Sequence, residues 1–383
     1  MNTDPQWRVT VADTSVGAEE RAAVTEVLAS RWLSLGQVTR AFEREFAAAL
    51  GAADAVAVSS GTAALHLAML ALGIGPGDEV ITPSLNFVAS AEVAALHGAR
   101  PVFADVRSGN DLTVAPYEVE KLITARTRAI VAMHYGGHPA DLEALRAISR
   151  TRGVALIEDA AHAPLVPTPL GMAGTVGDLG CFSFFATKNI TTGEGGMVVA
   201  RDPDVLARVR AMRSHCLTHD TTERMRTGGA TYDVPAVGLN YRPTEISSAL
   251  GRVQLAKLTE DRARRRSVMS VYRERLGLAM PFDDRPDDGA HHLAVVLLPP
   301  HIERALLREE LNTLGVQTSV HYPPTHQFTY YREQHGSALR ELPLTEHLAP
   351  RLLTLPLHAL MSDADAVYVA DAVTTGLRRS AWR

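Results

Sequence analysis

A single lysine stands between aromatic residues and a glycine pair in FSFFATKNITTGEGG, residues 182–196. A lysine amine taken out of water loses part of its affinity for a proton, and the neutral amine can attack an aldehyde. In an open turn the same side chain is only a solvated charge, so Lys188 alone leaves both readings open. Three other stretches carry residues of comparable promise. In IEDAAHA (157–163) Glu158, Asp159 and His162 follow an apolar run, and a carboxylate at a buried strand end needs a partner to keep its charge. That partner is either a structural arginine or cap, or a protonated nitrogen of a ligand. In SSGTAAL (59–65) Ser60, Gly61 and Thr62 either cap a helix or open a cradle for an anion, with neither a Walker pattern nor G-x-G-x-x-G present. In TPSLNFVAS (82–90) Phe87, next to Asn86, is either core or a flat surface for a ligand ring.

The elements around these stretches decide whether they can meet. Apolar spacing predicts helices over 18–29 and 39–50, the second stopped by Gly51. Short β-branched runs at 55–60, 78–83, 100–106, 127–135 and 153–160 then alternate with helical segments, which predicts a mainly parallel sheet covered by helices. In such a sheet, ligands collect beyond the carboxyl ends of the strands, and each of the four stretches follows a strand or precedes one. The character of the chain changes near Glu245, where EISSALGRVQLAKLTEDRARRRSVMSVYRERL reads as one or two helices. A smaller unit is expected after it, with a strand over 291–299, a helix over 301–315 and a further strand in VQTSVHYPP. The domains are therefore expected at 1–245 and 246–383.

Composition narrows the function. The chain has 383 residues, 46% hydrophobic and 21% charged, with a net charge of -5 that offers no general attraction for nucleic acid. RARRR (262–266) is expected to be a solvated helix face. Cys181 and Cys216 form no framework, the first residues lack signal-peptide character and no apolar run could span a bilayer; a cytoplasmic enzyme for small molecules is expected. Fifteen histidines raise a metal enzyme, but in HYGGH the glycines put His134 and His138 in a turn with no third ligand at metal-site spacing. No metal is expected.

Taken together, an anion cradle, a ring platform, a carboxylate for a ring nitrogen and an amine for an aldehyde are what pyridoxal phosphate requires. At this point SSGTAALHLAMLALGIGPGDEVITPS, IEDAAHA, GDLGCFSFFATKNITTGEGGMV, GLNYRPTEISSALGRVQL and VHYPPTH resemble, in order, segments of the DegT/DnrJ/EryC1/StrS family of sugar aminotransferases. The resemblance runs from about Ala18 to the last helix. It implies an α/β fold, the fold-type I of pyridoxal-phosphate-dependent transferases, with a large domain and a smaller C-terminal α+β domain.

The resemblance also implies roles. Lys188 would bind the cofactor aldehyde, Asp159 would pair with the pyridine nitrogen, His162 would lie by the 3-oxygen and Phe87 would cover the ring. Gly61, Thr62 and Ser183 would hold the phosphate, with Asn240 reaching it from the neighbouring subunit of a homodimer. Tyr322, His321 and His326 would border the sugar pocket, and Arg242 is a candidate for the donor carboxylate, with a structural salt bridge as the alternative. The implied reaction moves an amino group from L-glutamate to a nucleotide-linked keto sugar, foremost a dTDP-4-keto-6-deoxyhexose. The alternatives are a 3-keto sugar, a cyclitol ketone such as an inosose, or a pyridoxamine-dependent dehydratase, against which Lys188 itself argues. Two segments depart from the family: PLVPTPLGMAGTVGD lacks the usual tyrosine, and Cys216 in SHCLTHD stands where a glycine is usual.

Overall fold

The computed structural model describes residues 7–218, 231–335 and 340–380. The expectations for residues 1–6 and for the end of SHCLTHD (219–220) lie outside these. Helices α1 (Ala18–Ser30) and α2 (Gln37–Leu50) come first, and Gly51 ends α2 in the left-handed conformation, φ 68°. The strands β1 (Val56–Val58), β2 (Glu79–Pro83), β3 (Arg100–Ala104), β4 (Thr127–Met133) and β5 (Ala155–Asp159) alternate with α3 (Gly61–Ala71), α4 (Ala89–Leu96), α5 (Pro116–Leu122) and α6 (Leu142–Arg152). A small hairpin of β6 (Pro167–Thr168) and β7 (Gly171–Met172) precedes β8 (Leu179–Ser183) and β9 (Gly196–Ala200), followed by α7 (Pro203–Met212).

Seven strands form one sheet in the order β1-β9-β8-β5-β4-β2-β3. Only β9 runs against its neighbours. The carboxyl ends of β1, β2, β5 and β8 consequently share one edge, and the loops after them carry the four chemically promising stretches. The sheet is buried on both faces, as its Val, Ile and Ala content requires.

The helix α8 (Glu245–Arg275) is a single element of 31 residues, and the chain changes core along it. Leu258 packs with Phe42 and Phe46 of the first unit, whereas Val268, Met269 and Tyr272 pack in a second core. That core joins the antiparallel pair β10 (Ala294–Leu297) and β11 (Leu352–Leu355) to α9 (Arg304–Thr313) and, beyond the short helices α10 (Thr329–His335) and α11 (Pro343–Leu348), to α12 (Asp363–Ser380). Val9, from the amino-terminal segment, also lies in it and bridges to Val316.

Two expectations are corrected. VQTSVHYPP forms no strand and contributes only the isolated bridges Val9↔Val316 and Ser319↔Thr354, and its proline pair cannot extend the pairing. RARRR is not a solvated face: Arg265 is buried with Nη1 on the Leu357 carbonyl, and Arg262 reaches the carbonyls of Pro164 and Leu165. These guanidiniums bind the second unit and the β5–β6 loop to α8. Among the described residues no helix is long and apolar enough to cross a membrane.

The aromatic run before Lys188 is a packing device. Phe182 and Phe184 meet Phe46 edge-on, at centroid distances of 5.0 and 5.5 Å. The helix bearing Phe46 is fixed in turn by Glu245, whose buried carboxylate accepts hydrogen bonds from the N–H groups of Gly36, Val38 and Thr39 at 2.8, 2.9 and 2.9 Å. Replacing Glu245 by Ala leaves these donors unpaired, and we expect a loss of stability of about 3 kcal/mol, seen as a lowered midpoint in urea.

Candidate active site

The loops at the shared strand edge enclose a cavity of about 430 Å³. Asp159 ends the central strand β5 on its floor, paired in register with Met133 and Cys181. Its Oδ1 accepts from the N–H of Ala161 at 3.2 Å. Burial pushes its pKa above the ordinary carboxylate value, while Lys188, the Ala161 N–H, His134 and the Asn86 amide act the other way. Lys188 lines the same cavity. Burial lowers its pKa from 10.5 to about 8, opposed by Asp159. The two groups meet in one low-dielectric chamber, which makes the amine available as a base or nucleophile near neutral pH.

A second part of the wall presents donors that could receive an anion. Ser60 caps α3 by accepting from the N–H of Ala63 at 3.0 Å, which leaves the N–H groups of Gly61 and Thr62 as helix-terminal donors. Ser183, at the end of β8, lies directly against Gly61: a Cβ on Gly61 would come within 2.7 Å of the Ser183 Cβ. Ser60 is thus the helix cap, and the N–H groups of its two neighbours stay open toward the cavity.

A third part is aromatic. Phe87 is 56% exposed and borders the cavity, so it is not core. It faces Tyr322 with ring centroids 6.2 Å apart. The Tyr322 hydroxyl lies 3.0 Å from His162 Nε2. Burial, together with Lys188, His321 and His134, holds His162 well below the usual histidine pKa and therefore neutral. His321 also lines the cavity, with Nδ1 2.9 Å from the Thr354 hydroxyl.

Other predicted residues stand elsewhere. His326 is buried outside the cavity lining, between the Ser84 hydroxyl at 2.6 Å and Glu346 Oε1 at 3.1 Å, where it ties the carboxyl end of β2 to α11. Asn240 is exposed and pairs with Ser214 in an isolated bridge, and Arg242 lies within electrostatic reach of Arg213; neither lines the cavity of its own chain. His134 and His138 part company: His134 bonds Glu158 at 3.0 Å, and His138 stacks on Phe282 at 4.3 Å. Glu158 also accepts from the N–H groups of Gly174, Val176 and Gly177 at 2.7, 2.7 and 2.6 Å, so it shapes the loop after the β6–β7 hairpin. The hairpin itself persists in the proline-rich segment. In the other departing segment His215 and Cys216 adopt φ of 63° and 52°, the region that favours glycine.

Two residues were missed, Asn189 and His292. They are hydrogen-bonded to each other beside Lys188, and only the adjacency of Asn189 to the lysine could have hinted at it.

The arrangement fits pyridoxal phosphate. It offers an aldehyde-reactive amine, a desolvated carboxylate in want of a cation, terminal helix donors beside a serine, and buried polar atoms without a protein partner, His162 Nδ1 and Asn86 Oδ1. Fold and site together define a fold-type I, pyridoxal-phosphate-dependent aminotransferase. The family model of the DegT/DnrJ/EryC1/StrS aminotransferase family matches residues 14–374. The chain is 39% identical over 369 residues to the spore coat polysaccharide biosynthesis protein SpsC of Bacillus subtilis (strain 168), covering 94% of each. It superposes on the aminotransferase TlmJ from Streptoalloteichus hindustanus with a TM-score of 0.89 at 36% identity, covering 97% of this chain and 99% of that one. On DesI, solved in the presence of its TDP-sugar product, the TM-score is 0.86 at 33% identity, covering 98% and 94%. The chain belongs to the DegT/DnrJ/EryC1/StrS family and is a sugar aminotransferase.

The pKa of Lys188 has a kinetic consequence. Below about pH 8 the ammonium form dominates and has no lone pair; above it the amine is free. Uptake of pyridoxal phosphate by cofactor-free enzyme, followed by absorbance, should therefore accelerate with pH through a midpoint of about 8 and level off above it. A midpoint near the unperturbed 10.5 would contradict the burial argument.

Proposed function

We propose that the enzyme moves the amino group of L-glutamate to a nucleotide-linked keto sugar, a dTDP-4-keto-6-deoxyhexose, in amino-sugar biosynthesis. The observation that carries this reading is the meeting of Lys188 and Asp159 in one cavity with an anion cradle at its wall. The nucleotide-linked substrate is supported by the likeness to DesI and its TDP-sugar.

When bound, pyridoxal phosphate supplies an aldehyde for amines and a ring that takes up the electron pair left by an ionised C–H bond. Lys188 Nζ would hold the aldehyde end. The same nitrogen would serve as the base that takes the donor's α-proton and the acid that gives it back. Asp159 would favour a proton on the ring nitrogen by offering it a desolvated negative charge. His162, neutral and held by Tyr322, would offer a hydrogen bond to the ring's polar substituent. Gly61, Thr62 and Ser183 would hold the phosphate, and Phe87 would give the ring an apolar surface.

Asn240 is proposed to complete the cradle of the opposite subunit in a homodimer, in keeping with its exposure and its absence from its own chain's cavity. Arg242, two residues on, is the proposed cation for the donor carboxylate. His321 and Tyr322 would border the sugar, and His326 would support that border from behind. A reducing cytoplasm suits the two buried, free cysteines.

Incubation of the purified enzyme with L-glutamate and a panel of 4-keto and 3-keto nucleotide sugars, with an inosose included, should give an aminated 4-keto sugar by mass spectrometry. An aminated inosose alone would move the assignment to cyclitols. Lys188→Ala should lose the visible absorbance of lysine-bound cofactor, and an unchanged spectrum sinks the assignment. Asp159→Asn should keep the cofactor and lower turnover by about 100-fold or more, measured as product formed per minute.

A further inference from the structure

His292 belongs to the cavity wall but to none of the roles argued so far. The residue is 6% exposed, and its backbone N–H donates to the Gly136 carbonyl at 3.0 Å. Nδ1 lies 2.8 Å from Asn189 Oδ1. Asn189 is fixed in its turn, because its Nδ2 donates to the Ala290 carbonyl at 2.7 Å. A carbonyl oxygen only accepts, so the amide nitrogen must face Ala290 and the amide oxygen must face the ring. His292 therefore carries its proton on Nδ1, and the neutral ring keeps its lone pair on Nε2. Burial, with His162 and Lys188 nearby, keeps the ring uncharged. Among the described residues no donor reaches Nε2, and the ring borders the cavity.

The neighbours tell which part of a ligand Nε2 meets. The His292 ring centroid is 4.2 Å from that of His162, and the ring is within electrostatic reach of Lys188, so it stands at the reacting end. Of the polar groups of that wall, the Tyr322 hydroxyl is paired with His162 and Lys188 serves the amino-group chemistry, while His162 Nδ1 has no protein partner among the described residues. A lone pair that opens on the cavity without a protein donor is matched by a hydroxyl brought in by the substrate.

We infer that His292 Nε2 accepts a hydrogen bond from a hydroxyl of the keto substrate on the carbon next to the one aminated, so that the enzyme selects acceptors bearing that hydroxyl over their deoxy counterparts. The inference rests on the sugar-aminotransferase reading above and adds the feature of the sugar that is read. A lone pair left facing a methylene in place of a hydroxyl loses that hydrogen bond, which is the source of the discrimination.

The test uses the holoenzyme with dTDP-4-keto-6-deoxyglucose, whose C3 carries the hydroxyl, and its 3-deoxy counterpart. The wild-type enzyme should prefer the hydroxylated acceptor by about 10- to 100-fold in kcat/KM. His292→Phe should bring that ratio close to unity, with a smaller effect on the glutamate half-reaction. His292→Gln, which keeps an acceptor, should restore part of the ratio; if His292→Phe does not take up cofactor, this variant and the wild-type ratio decide. Equal wild-type rates on the two acceptors, or equal losses on both in the variants, overturn the inference while the aminotransferase reading stands. Amination of neither acceptor overturns the dTDP-4-keto-6-deoxyhexose assignment and the inference with it.

Discussion

Everything in the cavity is arranged around one electrostatic problem, a carboxylate at the end of the central strand that burial would otherwise protonate. Burial raises the proton affinity of Asp159, and the groups that oppose it are a lysine amine across the chamber, the N–H of Ala161, His134 and the Asn86 amide. Lys188 faces the mirror problem, since burial strips its proton and Asp159 helps to keep it. Each is therefore poised between charge states by the other. A ligand that brings a protonated ring nitrogen and an aldehyde relieves both strains at once.

That balance depends on distances held by packing far from the chemistry. The loop bearing Lys188 rests on Phe182 and Phe184, these rest on α2, and α2 starts where Glu245 gathers its N–H groups. Because Glu245 also opens α8, the helix that crosses from one core to the other, the lysine loop and the second unit share one anchor. The buried arginines Arg262 and Arg265 continue the same linkage along α8.

Much of this could be read from residues alone, for definite reasons. Strands covered on both faces must be β-branched or small, and the residues that end them are polar, so the positions of Asp159, Ser60 and Lys188 relative to the sheet were visible as composition steps. Phe87 and Ser60 were ambiguous, because exposure and hydrogen bonding are settled only by what packs opposite. The sequence misled where long-range partners decide: Arg265 looks like a surface charge until the Leu357 carbonyl meets it, and His326 like a pocket residue until Ser84 and Glu346 claim it. His292 left no local trace, since its tautomer is dictated by an asparagine 103 positions away.

Gly196 has a consequence of a different kind. It sits in β9 between Val58 of β1 and Ser183 of β8, and a Cβ there would lie 2.5 Å from the Ser60 carbonyl and 2.7 Å from that of Phe182. The two halves of the anion cradle come from strands on opposite sides of this glycine, and Gly61 closes against Ser183 from above it. The width of the cradle is thus set by two missing methyl groups. Such a gauge cannot be reset in small steps: a side chain at Gly196 would have to push aside two backbone carbonyls, and one at Gly61 the Ser183 side chain, so the spacing of these strand ends is all or nothing.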